Sequence, residues 1–401
     1  MFKKKRVFIC IHYMEIGGAE RSLLGLLNAF DLSRFDVDLF VYQHTGEFMS
    51  LIPKNINLLP EIKKYSTIER PMIDVLKEGF VDIVIARLIA KYKYQRYISK
   101  NKLIDHSSSF QFIANATTPL LPSLNKLGEY DLAISFVTPH NIIRDKVLAK
   151  KKIAWIHTDY SNVQINKKLE LPVWNSYDNI ISISESVSKT FLKVFPSLED
   201  KIVLIENILS PNFVREQAES ENVESEMPNE EGVIKLCSVG RFTRAKNFDN
   251  VPSICNKIIR AGLNVRWYII GFGGDLNLIK QNIVKEGMQE HVILLGKKNN
   301  PYPFMKACDI YVQPSRYEGK AVTVREAQML YKPVVITNFP TAKSQLTDGV
   351  DGIIVPIDND SVARELKSFI KNKDMQIRLI TNLHSTDYGN EIEVNKIYNI
   401  V

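Results

Sequence analysis

Two pairs of charged residues in the second half of the chain have the types and spacing for chemistry on a phosphorylated substrate. Arg241 and Lys246 flank the loop Gly240-Arg241-Phe242-Thr243-Arg244-Ala245-Lys246. Two fixed cations with the amides of a helix start suit a diphosphate, and a guanidinium can bind two oxygens at once. Glu318 and Glu326 stand eight positions apart. The first lies in a polar loop after the apolar run Ile310-Tyr311-Val312, the second in the opening turn of a helix expected from Thr323. Both carboxylates can face a ligand held where that loop leaves a sheet. Thr323-x-x-Glu326 also fits a capping box, with Glu326 returning to the Thr323 backbone N–H.

Other candidates sit at similar places in the first half. His157 ends the run Lys152 to Ile156 and can either hydrogen-bond a ligand or cap local backbone. Gly17-Gly18 follow the run from Arg6 to His12 and precede the leucine-rich segment Ala19 to Phe30. They admit an anion close to the helix amides, or they make a tight turn.

These positions need strands that end at one rim. Apolar runs at Val37–Tyr42, Tyr130–Thr138, Ile180–Ile183 and Lys201–Ile205 alternate with helical stretches in the first half. The second half repeats the pattern at Val233–Val239, Val265–Ile270, His291–Leu295, Asp309–Val312 and Pro333–Thr337. Strands alternating with helices predict α/β architecture with parallel, doubly wound sheets. Between the halves, residues 215–231 hold seven glutamates, one arginine and no aromatic, the composition of a solvated linker. Two such halves leave a cleft between them, a preferred place for a ligand. The expected division is 1–207 for the first Rossmann-like domain, 208–232 for an acidic linker, 233–381 for the second domain, and 382–401 for a terminal helix returning to the first.

Composition narrows the classes. With 401 residues, 45% hydrophobic and 24% charged, the chain is an ordinary two-domain protein. No apolar run approaches the roughly 18 residues of a membrane span. The basic start Lys3-Lys4-Lys5-Arg6 precedes an apolar stretch too short for a signal peptide, and reads as the flank of a first strand. Four separated cysteines, Cys10, Cys237, Cys255 and Cys308, make no C-x-x-C pair and point to a reducing cytoplasm. A net charge of +7 suits anionic ligands or anionic lipid, and is too small to imply nucleic acid. The run Lys91-Tyr92-Lys93-Tyr94-Gln95-Arg96-Tyr97 interleaves cations and aromatics, as a membrane contact or a solvated helix face does.

Several chemistries lack their signatures. Gly271-Phe272-Gly273-Gly274 is not a complete G-x-G-x-x-G, which counts against a Rossmann NAD(P)-dependent oxidoreductase. Asp36-x-Asp38 and Asp358-x-Asp360 read as a strand start and a helix cap, so no metal site is expected. There is no P-loop, G-x-S-x-G or H-E-x-x-H.

With these residues in place, the chain resembles a GT-B fold retaining glycosyltransferase of the family 4 type along nearly its whole length. The resemblance is carried by Gly17-Gly18-Ala19-Glu20-Arg21, Trp155-Ile156-His157, Val239-Gly240-Arg241 with Lys246, and the E-x7-E pair Glu318 and Glu326. Pro333-Val334-Val335-Ile336-Thr337 and Asp351-Gly352-Ile353-Ile354-Val355-Pro356 add to it. It implies a nucleotide diphosphate sugar as donor substrate rather than a cofactor, bound by the second domain, and a saccharide or lipid-linked saccharide acceptor on the first. Surface polysaccharide or glycan synthesis is the implied setting, with the enzyme cytoplasmic and possible contact with the inner face of the membrane.

Carried over by position, Arg241 and Lys246 hold the diphosphate, and Glu326 takes the ribose. Glu318, with the backbone of Gly319, Lys320, Ala321 and Val322, faces the donor sugar, and His157 contacts that sugar from across the cleft. Gly17 and Gly18 approach the phosphate or acceptor, and Gly240, Gly271 and Lys297 complete the binding set. Where the family commonly has E-G-F-G-L, this chain has Glu318-Gly319-Lys320-Ala321-Val322. A non-catalytic nucleotide-sugar-binding protein of the same fold is the alternative.

Overall fold

The computed structural model of the chain describes residues 3–101, 108–318 and 321–401. They form two compact units, Met1–Leu209 with Asn390–Val401, and Ser210–Gly389.

The first unit is built on seven strands: β1 (Lys5–Ile11), β2 (Phe35–Val41), β3 (Asn57–Leu58), β4 (Tyr130–Ser135), β5 (Ala149–Ile156), β6 (Asn179–Ser182) and β7 (Ile202–Leu204). They lie in the order β3-β2-β1-β4-β5-β6-β7, every neighbour parallel. The second unit has β8 (Ile234–Val239), β9 (Val265–Ile270), β10 (Val292–Gly296), β11 (Ile310–Gln313), β12 (Val334–Thr337) and β13 (Ile353–Val355). Their order is β10-β9-β8-β11-β12-β13, again all parallel. The two Rossmann-like units expected of a GT-B protein are therefore present.

Parallel strands covered by helices on both faces are buried throughout, so they read as unbroken apolar runs. Val7 to Ile11 is such a run, no residue of it more than 1% exposed. Edge strands carry no such signal: in β3 both Asn57 and Leu58 are exposed. Each unit encloses its own core, one around Phe8, Phe40, Tyr130 and Trp174, the other around Phe248, Trp267, Ile310 and Leu366. Strand order reverses between β1 and β4 and between β8 and β11. At such switch points successive connections leave to opposite faces and open a crevice at the carboxyl ends.

The boundaries differ from those expected. The acidic stretch after Leu209 belongs to the second unit. Its first part is a helix, Pro211–Ala218, capped by the Ser210 hydroxyl and burying Phe213, Val214 and Ala218. Arg215 Nε donates to the Met329 carbonyl at 3.1 Å, and Val223 and Met227 are buried too. A few apolar side chains among the glutamates suffice to tie the segment down. At the other end, the helix Lys373–Ser385 stays with the second unit, and only Asn390–Val401 joins the first. There Tyr398 stacks on Phe35 at 4.6 Å and accepts from the Asp31 N–H at 2.7 Å.

Candidate active site

In the second unit the loops after β8 and β11 flank the switch point, and several side chains join them. Lys246 Nζ lies 2.6 Å from Glu318 Oε1. The same oxygen accepts from Ser315 Oγ at 2.6 Å and Gln313 Nε2 at 3.0 Å. Gln313, at the end of β11, is fully buried and accepts from the Tyr311 hydroxyl at 2.8 Å. Thr341 Oγ1 donates to the Glu318 carbonyl at 2.9 Å. A carboxylate oxygen with three donors is held in one orientation.

A second contact fastens the loops together. Arg316 spans Asp249 with both terminal nitrogens, at 2.8 and 2.7 Å. It also donates from Nη1 to the Arg244 carbonyl at 2.7 Å and from its backbone N–H to the Ala245 carbonyl at 2.8 Å. The planar fork fixes both distance and angle, which a lysine cannot do.

Arg241 is exposed and makes no ion pair among the described residues, so its charge is free for a ligand. The long helix expected to start beside Lys246 begins instead at Val251, after two short 3₁₀ turns. Asn247 joins the turns in left-handed conformation, φ 61°, which asparagine tolerates better than most residues. Helix amides are therefore displaced from Lys246.

Glycines let two loops pack backbone on backbone. Gly271 has φ 153°, and a Cβ there would collide with the Gly240 carbonyl. Gly240 N–H donates to Ile270 at 3.0 Å and Phe242 N–H to Phe272 at 2.7 Å. Lys297 Nζ lies 5.5 Å from the centre of the Phe272 ring. Ala321 is buried and donates its N–H to Gln345 Oε1 at 3.0 Å, and Val322 opens the helix Val322–Met329. Gly319 and Lys320 lie outside the described residues.

The capping box does not form. Ala321 is the N-cap residue, no side chain caps the helix, and Thr323 Oγ1 reaches Gln313 Oε1 at 3.3 Å. Glu326 is fully buried and accepts from the Tyr302 hydroxyl at 2.8 Å. Starting the helix at Val322 puts Thr323 inside the first turn, beyond reach of the cap position.

In the first unit, Gly17 is the extended N-cap of the helix Gly18–Ala29. A Cβ on Gly17 would collide with the Glu20 carboxylate, whereas one on Gly18 would meet open space. His157 follows β5 and packs on Phe136, ring centres 4.7 Å apart. Burial pushes its imidazole down to about 4, so it is neutral at physiological pH. Its Nε2 is buried and makes no hydrogen bond among the described residues.

Beside it, past the carboxyl ends of β4 and β5, lies a cavity of about 190 Å³ that sequence reasoning did not find. Phe110, Tyr160 and Trp174 form aromatic walls, and Gln111, His140 and Glu170 are polar groups in its lining. Glu170 Oε2 accepts from Trp174 Nε1 at 3.1 Å and from the Tyr160 hydroxyl at 3.2 Å. Burial raises its pKa, against those hydrogen bonds. Gln111 Oε1 accepts from the Asn166 N–H at 2.7 Å, and its Nε2 is buried. His140 Nδ1 pairs with Ser135 Oγ at 2.8 Å, and burial pushes its imidazole down to about 3. Leu169, Val173 and Trp174 beside Glu170 look like one face of an amphipathic helix, which concealed the pocket.

Comparison with known proteins agrees with this architecture. Residues 219–385 match the family described as glycosyl transferases group 1. An uncharacterized glycosyltransferase of Methanocaldococcus jannaschii is 27% identical over 175 residues, 42% of this chain and 42% of its own length. The N-acetylgalactosamine-N,N'-diacetylbacillosaminyl-diphospho-undecaprenol 4-alpha-N-acetylgalactosaminyltransferase of Campylobacter jejuni is 24% identical over 378 residues, 93% of this chain and 92% of that one. Among solved structures, Anabaena HepE in complex with UDP aligns over 98% of both chains with TM-score 0.62 at 14% identity.

Proposed function

We propose that this chain, a GT-B glycosyltransferase with a group 1 domain at residues 219–385, moves a sugar from a nucleotide diphosphate donor to a saccharide or lipid-linked saccharide acceptor with retention at the anomeric carbon. The observation that carries the reading is the pairing of Lys246 with Glu318 across the loops of β8 and β11, with Arg241 exposed on the β8 loop and without an ion pair among the described residues. An ammonium has three donors, so Lys246 can keep Glu318 and still meet a phosphate oxygen. The alignment with the Campylobacter enzyme, whose name specifies a diphospho-undecaprenol acceptor, supports a lipid-linked acceptor in surface glycan assembly. HepE in complex with UDP supports a uridine nucleotide among the donors to try first.

In this reading, Arg241 and Lys246 neutralise the diphosphate as its bond to the sugar breaks, worth several kcal/mol at a leaving-group oxygen. They fill the part a divalent cation would otherwise play. The acceptor oxygen bonds to the anomeric carbon on the face the phosphate leaves, and its proton passes to the departing phosphate oxygen. Glu318 faces the donor sugar with the oxygen not held by Lys246. Glu326, with one oxygen held by Tyr302, takes the ribose. The cavity bounded by Trp174, Tyr160 and Glu170 takes the acceptor, with aromatic walls for sugar faces and a carboxyl for hydroxyls.

The test is a thermal-shift panel of nucleotides and nucleotide sugars on the full chain, followed by transfer assays with and without chelator. A ligand at about 100 times its Kd should stabilise the protein by about 2.7 kcal/mol. NMR of the new linkage should show the donor's anomeric configuration kept. No shift with any nucleotide would remove the reading, and an inverted linkage would remove the retaining mechanism.

A further inference from the structure

We propose that the outer face of the helix Val81–Asn101 is a docking surface for anionic lipid at a membrane. The helix has two apolar faces. Ile83, Ala86, Ala90 and Tyr94 are buried against the unit. Opposite them, Val81, Ile85, Leu88, Ile89 and Tyr92 are 51%, 52%, 51%, 48% and 62% exposed. At helical spacing those five fall within an arc of about 100°. The preceding helix, Met72–Lys77, adds Ile73 at 68% and Leu76 at 49% exposed. Single exposed apolar residues are ordinary, but a continuous stripe marks a surface that something covers.

Charge identifies the occupant. Lys91 lies along one edge of the stripe, Lys93 and Lys100 along the other, all exposed and without an ion pair among the described residues. Of the acidic groups nearby, Asp82 pairs with Lys64 at 2.5 Å and Glu78 with Arg70, and Asp74 is exposed on the preceding helix, where Lys77 matches it in charge. The spare charge of the patch is positive. Lysine stems can lie along an apolar surface while their ammonium groups reach phosphate headgroups, and a tyrosine suits the same boundary. A second copy of the chain would bring the same lysines and, on this face, only Asp74 as a spare acid to meet them. No helix among the described residues is long and apolar enough to cross a bilayer, so this one lies in the interface plane. The inference is independent of the reaction the protein performs.

Co-sedimentation of the full chain with vesicles tests it, using phosphatidylcholine alone and equal parts phosphatidylcholine and phosphatidylglycerol. The wild type should bind the anionic vesicles at least about tenfold more tightly than the neutral ones. The triple variant Ile85→Ser, Leu88→Ser, Tyr92→Ser should lose about tenfold or more of that binding. Its melting temperature should not fall, because the three side chains are already exposed. Lys91→Glu, Lys93→Glu, Lys100→Glu should erase the preference for anionic vesicles. Equal wild-type binding to both vesicles, or full binding by the serine variant, would overturn the proposal. So would sedimentation velocity that reveals a wild-type dimer lost in the serine variant while neither binds vesicles.

Discussion

Lys246 and Glu318 come from loops 72 residues apart and meet at 2.6 Å, the lysine side chain 19% and the glutamate side chain 10% exposed. A pair so covered cannot be treated as a surface salt bridge worth almost nothing, and removing one partner strands the other. Lys246→Ala should therefore destabilise the second unit by about 2 kcal/mol and lower kcat/KM about a hundredfold or more. Glu318→Gln keeps one acceptor oxygen for Ser315 and Gln313 and should cost less stability. Urea melts followed at Trp267, buried in the second unit, with donor-turnover assays, measure both. Equal turnover for Lys246→Ala and wild type would detach this pair from the reaction.

Arg241 isolates the electrostatic part, because it is exposed and has no partner to strand among the described residues. Arg241→Ala should leave stability within about 0.5 kcal/mol of wild type and reduce turnover about a hundredfold. Arg241→Lys should recover part of that loss, since it keeps the charge but not the two-oxygen geometry. Single-turnover rates at saturating donor measure the effect. Near-normal transfer by the alanine variant would sink the role given to this residue.

How far these residues could be read beforehand follows from where their partners lie. Central strands announce themselves through apolar runs, continuous at Val7 to Ile11 and nearly so at Val233 to Val239, and so the sheets and the loops carrying Arg241, Lys246 and Glu318 were legible. The partners were not. Gln313 ends an apolar strand as its one amide, a signal that could have been noticed. Arg316 and Asp249 are 67 residues apart, and nothing local says that they meet. Glu326 fitted a capping box by spacing alone, and only the burial of the helix face turns it to Tyr302 instead. The acidic stretch misled through composition, because burying Phe213, Val214, Val223 and Met227 outweighs the charge of neighbours that remain in water.

Acid should loosen the first unit through its buried histidines. Burial holds His140 at about 3 and His157 at about 4, against about 6.5 in an unfolded chain. Below about pH 6.5 the unfolded chain binds protons that the native imidazoles refuse, so stability falls as pH drops towards 4. Each histidine contributes a slope of about 1.4 kcal/mol per pH unit across that window and none above it. His140→Gln should be less stable than wild type near neutrality, with the gap narrowing at about that rate on acidification. Urea melts at stepped pH, followed through Trp174 fluorescence, measure it. A gap that stays constant between about pH 7 and pH 5 would mean that His140 already titrates in the folded protein.

Glu170 separates a structural carboxyl from one that meets substrate. Its Oε2 is held by Trp174 and Tyr160, and an amide in the same place can accept from both through its oxygen. Glu170→Gln should therefore fold, and should gain stability at neutral pH by removing a group whose ionisation burial opposes. If the cavity receives the acceptor, the variant should show acceptor KM raised about tenfold, the worth of one charge-assisted hydrogen bond. Donor KM should not move, because the proposed reading gives Glu170 no contact with the donor. Leu169→Trp, which fills the cavity without touching the carboxyl, should raise acceptor KM in the same way. Steady-state kinetics with donor and acceptor varied in turn separate the outcomes: unchanged acceptor KM in both variants would place acceptor recognition outside this cavity.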